Sequence, residues 1–332
     1  MENLATAKAF LEANLPHLCR NTGADLDTAQ QLFFEALQVN AEQLSHSINL
    51  GFMPEVPESR KLWDFLANLL VDSNSQLVNS QHFQTALDFM SQGGNVLVLQ
   101  NHTSGADTII FDCLLNRKFP GNPGRNIAYM AGHVVNVFLI PLTICAAIKR
   151  FQIYSSRYQG IAEEIGINAK DMKAQNTRAL NALTKYVQPG GKMIGLYPEG
   201  GRGEGQLKLG DPQTAVIPSL MSKYSPQGLM ILASFVQGAT DILPVRRTEN
   251  EFDHFMEWIK CGTANISFGK PVMWLKPPIN EIETICTATD CCDRVGANRL
   301  AHKQNMTMLA QLAPTEYAKG PWANPEAIEW PS

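Results

Sequence analysis

The 332-residue chain is poor in several things that would have placed it quickly. It has no large excess of charge of one sign: the formal net charge is -4 and charged residues make up 17%. Nothing global therefore draws it to nucleic acid, and an anionic ligand has to be met by local cations. Its seven cysteines are scattered, odd in number and without a repeated C-x-x-C spacing. That pattern points to reduced thiols in a cytoplasmic setting and away from a structural zinc site, and His102 and Asp107 lack the further ligands at helical spacing that a catalytic zinc would require, so no metal is expected. The first residues lack a basic stretch leading into an apolar core, and also the Arg- and Ser-rich, acid-poor character of a transit peptide. The longest apolar run, 134–148, is interrupted by Asn136 and Pro141 and is too short to span a bilayer, so it reads as a buried helix. Internal repeats and low-complexity tracts are missing. So is the G-x-S-x-G elbow of a serine hydrolase.

What is there is a globular composition, 45% hydrophobic, enough for a sizeable core. The first 90 residues show helical spacing only. Helices are expected over 4–15, ending before Pro16, over 25–44 with Asp25 or Asp27 as N-cap, over 57–71 opening on Pro57, and over 80–90 closed by Gly93 and Gly94. No strand pattern precedes residue 95. From there, apolar β-rich runs (95–99, 127–130, 151–154, 193–197, 230–235 and 266–268) alternate with helical stretches at 107–116, 134–148, 170–187 and 251–260. The expected fold class is α/β: a mixed, partly parallel sheet flanked by helices, with a smaller N-terminal helical domain. The division expected is 1–78 for the helical piece and 79–332 for the α/β piece. The proline-bearing tail (Pro314, Pro321, Pro325, Pro331) reads as an extended strap or a loose end.

Two stretches can carry chemistry. In the first, a strand ends near Gln100 and Asn101-His102 sits on the turn that follows, with Asp107 in the first turn of the next helix. A carboxylate there suits the positive end of the helix dipole, and the carboxyl ends of strands are where open α/β sheets bind ligands. Asp107 can fold back to one imidazole nitrogen and leave the other as a general base. An H-x4-D match on its own is unremarkable; its place between strand and helix is what gives it weight. Ser104, beside His102, lacks the strained elbow of a nucleophile. In the second stretch, a strand runs into Pro198-Glu199-Gly200-Gly201-Arg202. Glycines let backbone amides approach an anion, and the Arg202 guanidinium suits phosphate or carboxylate. Glu199 either orients Arg202 or caps a neighbouring amide. The competing reading is a surface turn with a solvated arginine.

Taken together, Asn101-His102-x4-Asp107 and Pro198-Glu199-Gly200-Gly201-Arg202 resemble the glycerolipid acyltransferase superfamily. The likeness is greater to the soluble, plastid-type glycerol-3-phosphate acyltransferases, over about residues 80–245 and including 175–180 and 130–132. The resemblance implies transfer of a fatty acyl group from an acyl carrier protein (ACP) or coenzyme A (CoA) thioester to a hydroxyl of glycerol-3-phosphate. His102 is then the base, Asp107 its partner, and Arg202 and Arg157, with Glu199, Gly200 and Gly201, lie on the acceptor. The thioester is a co-substrate and no cofactor is implied. The implied partners are the acyl carrier protein or coenzyme A thioester and a small-molecule acceptor, with peripheral membrane contact open to such an enzyme and no nucleic acid. Where the family carries a second arginine this chain has Glu204, and where it carries a basic pair this chain has Arg157-Tyr158. An anion near a phosphate opposes binding, so a neutral or cationic alcohol or amine acceptor stands as a second reading. A catalytically silent acyl-carrier or lipid-binding relative is the third. Of the other histidines, His133 follows a strand and could line the site, while His17, His46, His82, His254 and His302 read as surface or packing residues.

Overall fold

The computed structural model describes residues 4–47, 51–132, 139–154, 168–200, 207–244, 255–274 and 293–314, together with Tyr317, Trp322 and Asn324. In chain order the elements are α1 (Leu4–Thr22), α2 (Leu26–Ser47), β1 (Phe52–Met53), α3 (Pro57–Leu70), β2 (Gln76–Val78), α4 (Ser80–Ser91), β3 (Asn95–Gln100), α5 (Asp107–Lys118), β4 (Ile127–Gly132) and α6 (Leu139–Cys145). They continue with β5 (Lys149–Ile153), α7 (Ala169–Val187), β6 (Met193–Leu196), a 3-10 turn (Pro212–Ala215), α8 (Val216–Tyr224), β7 (Leu229–Gln237), α9 (Ala239–Ile242), α10 (Phe255–Trp258), β8 (Asn265–Phe268), β9 (Val272–Met273) and α11 (Asp293–Ala310). This is the mixed α/β class with a helical N-terminal region. No helix among the described residues is long and apolar enough to cross a membrane.

Local chemistry explains most of the boundaries. Asp25 caps α2, its Oδ1 accepting the Thr28 N–H at 2.8 Å and the Thr28 hydroxyl at 2.7 Å. Helix α4 ends in two backbone bonds, Gly93 N–H to the Met90 carbonyl (2.9 Å) and Gly94 N–H to the Phe89 carbonyl (3.0 Å). Gly93 takes the left-handed φ of +89° that this closure requires. Two expectations need correction. Helix α1 does not stop before Pro16 but carries it inside. The proline forfeits one backbone bond, yet Leu11, Leu15 and Leu18 stay buried on a face packed against α2, and that burial carries the helix through. Two short strands, β1 and β2, do precede residue 95; at two and three residues they are too brief to show alternation. The segment before the tail, on which no expectation was placed, is an 18-residue helix, α11.

Contacts group the chain into two compact units made of non-contiguous segments: 1–76, 105–183 and 237–265 in one, and 77–104, 184–236 and 266–332 in the other. In the first unit α2 packs against both α1 and α3, β4 and β5 pair in parallel, and β1 pairs antiparallel with β5. A buried ion cluster ties α3 to α5 here: Arg60 Nη2 meets Asp112 Oδ2 at 2.5 Å, and the Trp63 indole N–H donates to the same oxygen at 2.8 Å. In the second unit β3 lies between β6 and β7, parallel to both, and β9 pairs antiparallel with β7. All six residues of β3 are buried, which is why its sequence reads as a continuous apolar run without alternation. The register Leu99↔Leu196 and Gln100↔Ser234 brings the carboxyl ends of three parallel strands level.

Candidate active site

The carboxyl end of β3 is fixed by Asn101. Its side-chain amide donates to the Val236 carbonyl at 2.9 Å, and its Oδ1 accepts the Val236 N–H at 2.7 Å. A side chain thus continues the β3–β7 ladder by one rung and holds the following residue, His102, where the strand lets go. Asn101 is fully buried, while His102 is half-buried. The imidazole stacks on Tyr197, the residue after β6, with ring centroids 4.4 Å apart and planes inclined by 27°.

Glu199 completes the arrangement. Its side chain is fully buried, and its two oxygens divide two backbone amides between them. Oε1 accepts the His102 N–H at 2.8 Å and Oε2 accepts the Lys208 N–H at 2.9 Å. A buried carboxylate without donors would be strongly disfavoured; here two charge-assisted bonds meet it. These contacts show Glu199 capping two backbone amides. The Tyr197–Gly200 turn is tight, with Gly200 N–H on the Tyr197 carbonyl at 3.1 Å and Gly200 at φ +67°. Glycine takes that backbone region without strain.

Asp107 lies where expected, in the first turn of α5, and is fully buried in the first of the two units. Ser104 is fully buried as well, a poor place for a nucleophile that must meet substrate. Arg157, Gly201, Arg202, Glu204 and His133 lie outside the described residues. Among the described residues no group of three or more His, Cys, Asp or Glu side chains stands together to hold a metal ion.

Tyr197, Lys208 and Trp322 bear no role in the expectations above, and His302 stands there only as a surface or packing residue. Tyr197 follows a strand in the same way His102 does, and that parallel could have singled it out. The other three carry no local signal.

Comparison with known proteins shows what the chain is similar to. The Acyltransferase family model matches residues 76–247, just over half of the chain. A chloroplastic glycerol-3-phosphate acyltransferase of Arabidopsis thaliana is 30% identical over 141 residues, 42% of this chain and 29% of that protein. The protein of that description from Pisum sativum is 31% identical over 137 residues, 40% of this chain and 28% of that one. The matched stretch therefore spans less than a third of these relatives. Among solved structures, the 1-acyl-sn-glycerophosphate acyltransferase of Thermotoga maritima aligns over 77% of this chain and 87% of its own, with a TM-score of 0.40 and 14% identity.

Proposed function

Since this chain belongs to the Acyltransferase family, we propose that it is an O-acyltransferase that moves a fatty acyl group from an acyl-ACP or acyl-CoA thioester to a hydroxyl of glycerol-3-phosphate. The observation that carries the proposal is the bond from the His102 N–H to Glu199, which joins the two motifs the family resemblance rests on. His102 is the general base. Its imidazole takes the proton of the acceptor hydroxyl as that oxygen attacks the thioester carbonyl. The tetrahedral intermediate then collapses, the carbon–sulfur bond breaks, and the departing thiolate takes the proton back from the imidazolium. No acyl group is carried on the enzyme.

Asp107 is assigned as the partner of His102 on the strength of the H-x4-D spacing, and Arg202 and Arg157 as the cations for the acceptor phosphate. Gly200 and Gly201 lend backbone approach to that anion. Glu199 acts on this reading as a positioning group for the His102 backbone. A cytoplasmic location, argued from the odd and scattered cysteines, belongs to the same proposal.

The test is a panel of acyl thioesters against candidate acceptors, read by mass of the acylated product, with His102→Ala alongside. Loss of at least ~100-fold in turnover in a folded His102→Ala protein is expected, the lower range of general-base assistance. Near-normal turnover rejects the role. Glu204, an anion in the glycine-rich loop, favours a second acceptor class without phosphate. Better use of glycerol-3-phosphate by Glu204→Arg would place that loop on the phosphate and remove this second reading.

A further inference from the structure

Three successive peptide groups at 207–210 are each tied to a different partner. The Lys208 N–H goes to Glu199 Oε2 at 2.9 Å, as described. The Lys208 carbonyl accepts the indole N–H of Trp322 at 2.7 Å. The Leu209 carbonyl accepts from His302 Nε2 at 2.8 Å. A carbonyl can only accept, so the proton of His302 resides on Nε2. Nδ1 faces the Thr214 hydroxyl at 3.2 Å, in the 3-10 turn along which α11 packs. Trp322 stands edge-on to the His302 ring, with centroids 6.1 Å apart and planes at 68°.

Both rings are buried, His302 fully and Trp322 nearly so. Two buried donors given to backbone carbonyls of a short loop are not what apolar packing alone selects, since an aliphatic side chain would fill the space without a desolvation penalty. Gly210 permits the approach. Its φ is +84°, and a Cβ there would stand 2.5 Å from His302 Nε2. The loop so held presents its next amide to Glu199, and the other oxygen of Glu199 holds the backbone of His102.

We propose that His302 is a positioning residue for His102, which it serves by fixing, together with Trp322, the loop whose Lys208 amide completes the Glu199 bridge. The link to catalysis rests on the acyl-transfer reading above; the link to the backbone of His102 does not.

The informative variant is His302→Phe, which keeps the ring and its packing on Trp322 but removes the donor. His302→Gln, whose amide can reach the Leu209 carbonyl, is the conservative rescue. The first readout needs no substrate: hydrogen exchange of the Lys208 and His102 amides in the full chain. Both amides exchange at least ~10-fold faster in folded His302→Phe, and near the wild-type rate in His302→Gln, as follows when a hydrogen-bonded amide opens locally. The second readout is acyl transfer, where kcat falls ~10- to 100-fold with KM for the thioester within ~2-fold, the signature of lost alignment rather than lost binding.

Unchanged exchange at both amides in folded His302→Phe overturns the proposal, whatever the turnover. Should His302→Phe fail to fold, Trp322→Phe removes the neighbouring donor to the same loop, and the same pair of amides decides. If exchange responds as expected but the wild-type protein transfers no acyl group, the latch stands and the assigned function falls. If His102→Ala abolishes transfer while exchange is indifferent to His302, the function stands and the latch falls.

Discussion

The backbone N–H of His102 and the carboxylate of Glu199 are 97 residues apart in the chain and 2.8 Å apart in the fold. This one bond links the turn after β3 to the turn after β6. It makes the backbone of the proposed base depend on a side chain that has no acid–base part in the proposed reaction.

Removing that carboxylate leaves the His102 and Lys208 amides without it. The two donors are part-buried, so water meets some of the loss, and Glu199→Ala should destabilise the protein by about 1–3 kcal/mol. Glu199→Gln keeps one good acceptor and turns an NH2 group toward the second donor, so it should fall between wild type and Ala. Equilibrium urea denaturation gives the order, and acyl-transfer turnover should fall in the same sequence.

The Asp112 carboxylate is buried among donors, with Arg60 and the Trp63 indole on Oδ2 and the Asn116 amide on Oδ1 at 2.8 Å. Asp112→Ala leaves the buried Arg60 guanidinium to Asp64 alone, on whose Oδ1 its Nε and Nη2 lie at 3.0 and 2.6 Å, and takes the acceptor from the Trp63 indole, so it should cost about 1–3 kcal/mol. Adding Arg60→Met removes the half-paired charge, so the double variant should recover part of that loss. A double-mutant cycle in denaturant measures the coupling.

Alkaline stability has an identifiable contributor in Cys113. Burial pushes its thiol up to about 11 from an ordinary 9.0, with Arg117 pulling the other way and Asp112 adding to the rise. The folded state therefore holds a proton that the unfolded chain gives up first. The contribution is fully present below pH 9 and is lost as pH rises toward 11, on the order of 2 kcal/mol across that window. Denaturation of wild type and Cys113→Ala at pH 8 and pH 11 isolates it, because the other titrating groups are common to both. The gap between the two proteins should narrow at the higher pH.

Gly210 and Gly23 offer a matched pair. Both have positive φ, +84° and +73°, but a Cβ on Gly23 meets nothing within 4 Å, whereas one on Gly210 meets His302 Nε2 at 2.5 Å and the Pro198 carbonyl oxygen at 2.8 Å. Gly23→Ala should show only the backbone penalty, about 1 kcal/mol. Gly210→Ala should exceed it by about 1–3 kcal/mol of steric strain and lower turnover as well. Thermal melts of the two variants side by side make the comparison.

The sequence by itself determined those features whose physics is local. An aspartate cap for α2 at Asp25 or Asp27, of which the fold uses Asp25, the Gly93-Gly94 stop of α4, the continuous apolar run of β3 and the placing of His102 just past a strand all follow from neighbours within a turn or a pleat. Helix α11 carries no clear signal because buried Arg299, His302 and Asn305 are interleaved with buried Leu300, Ala301, Met306 and Leu309, so its inward face is mixed and the usual apolar stripe is blurred. Only the tertiary structure decided that Glu199 joins two backbone amides, and that Trp322, 114 residues beyond Lys208 in a proline-marked tail, closes on that loop. A hydrogen bond between distant segments leaves no periodicity in either of them. Its donor and acceptor gain meaning only once the strands that bring them together have folded.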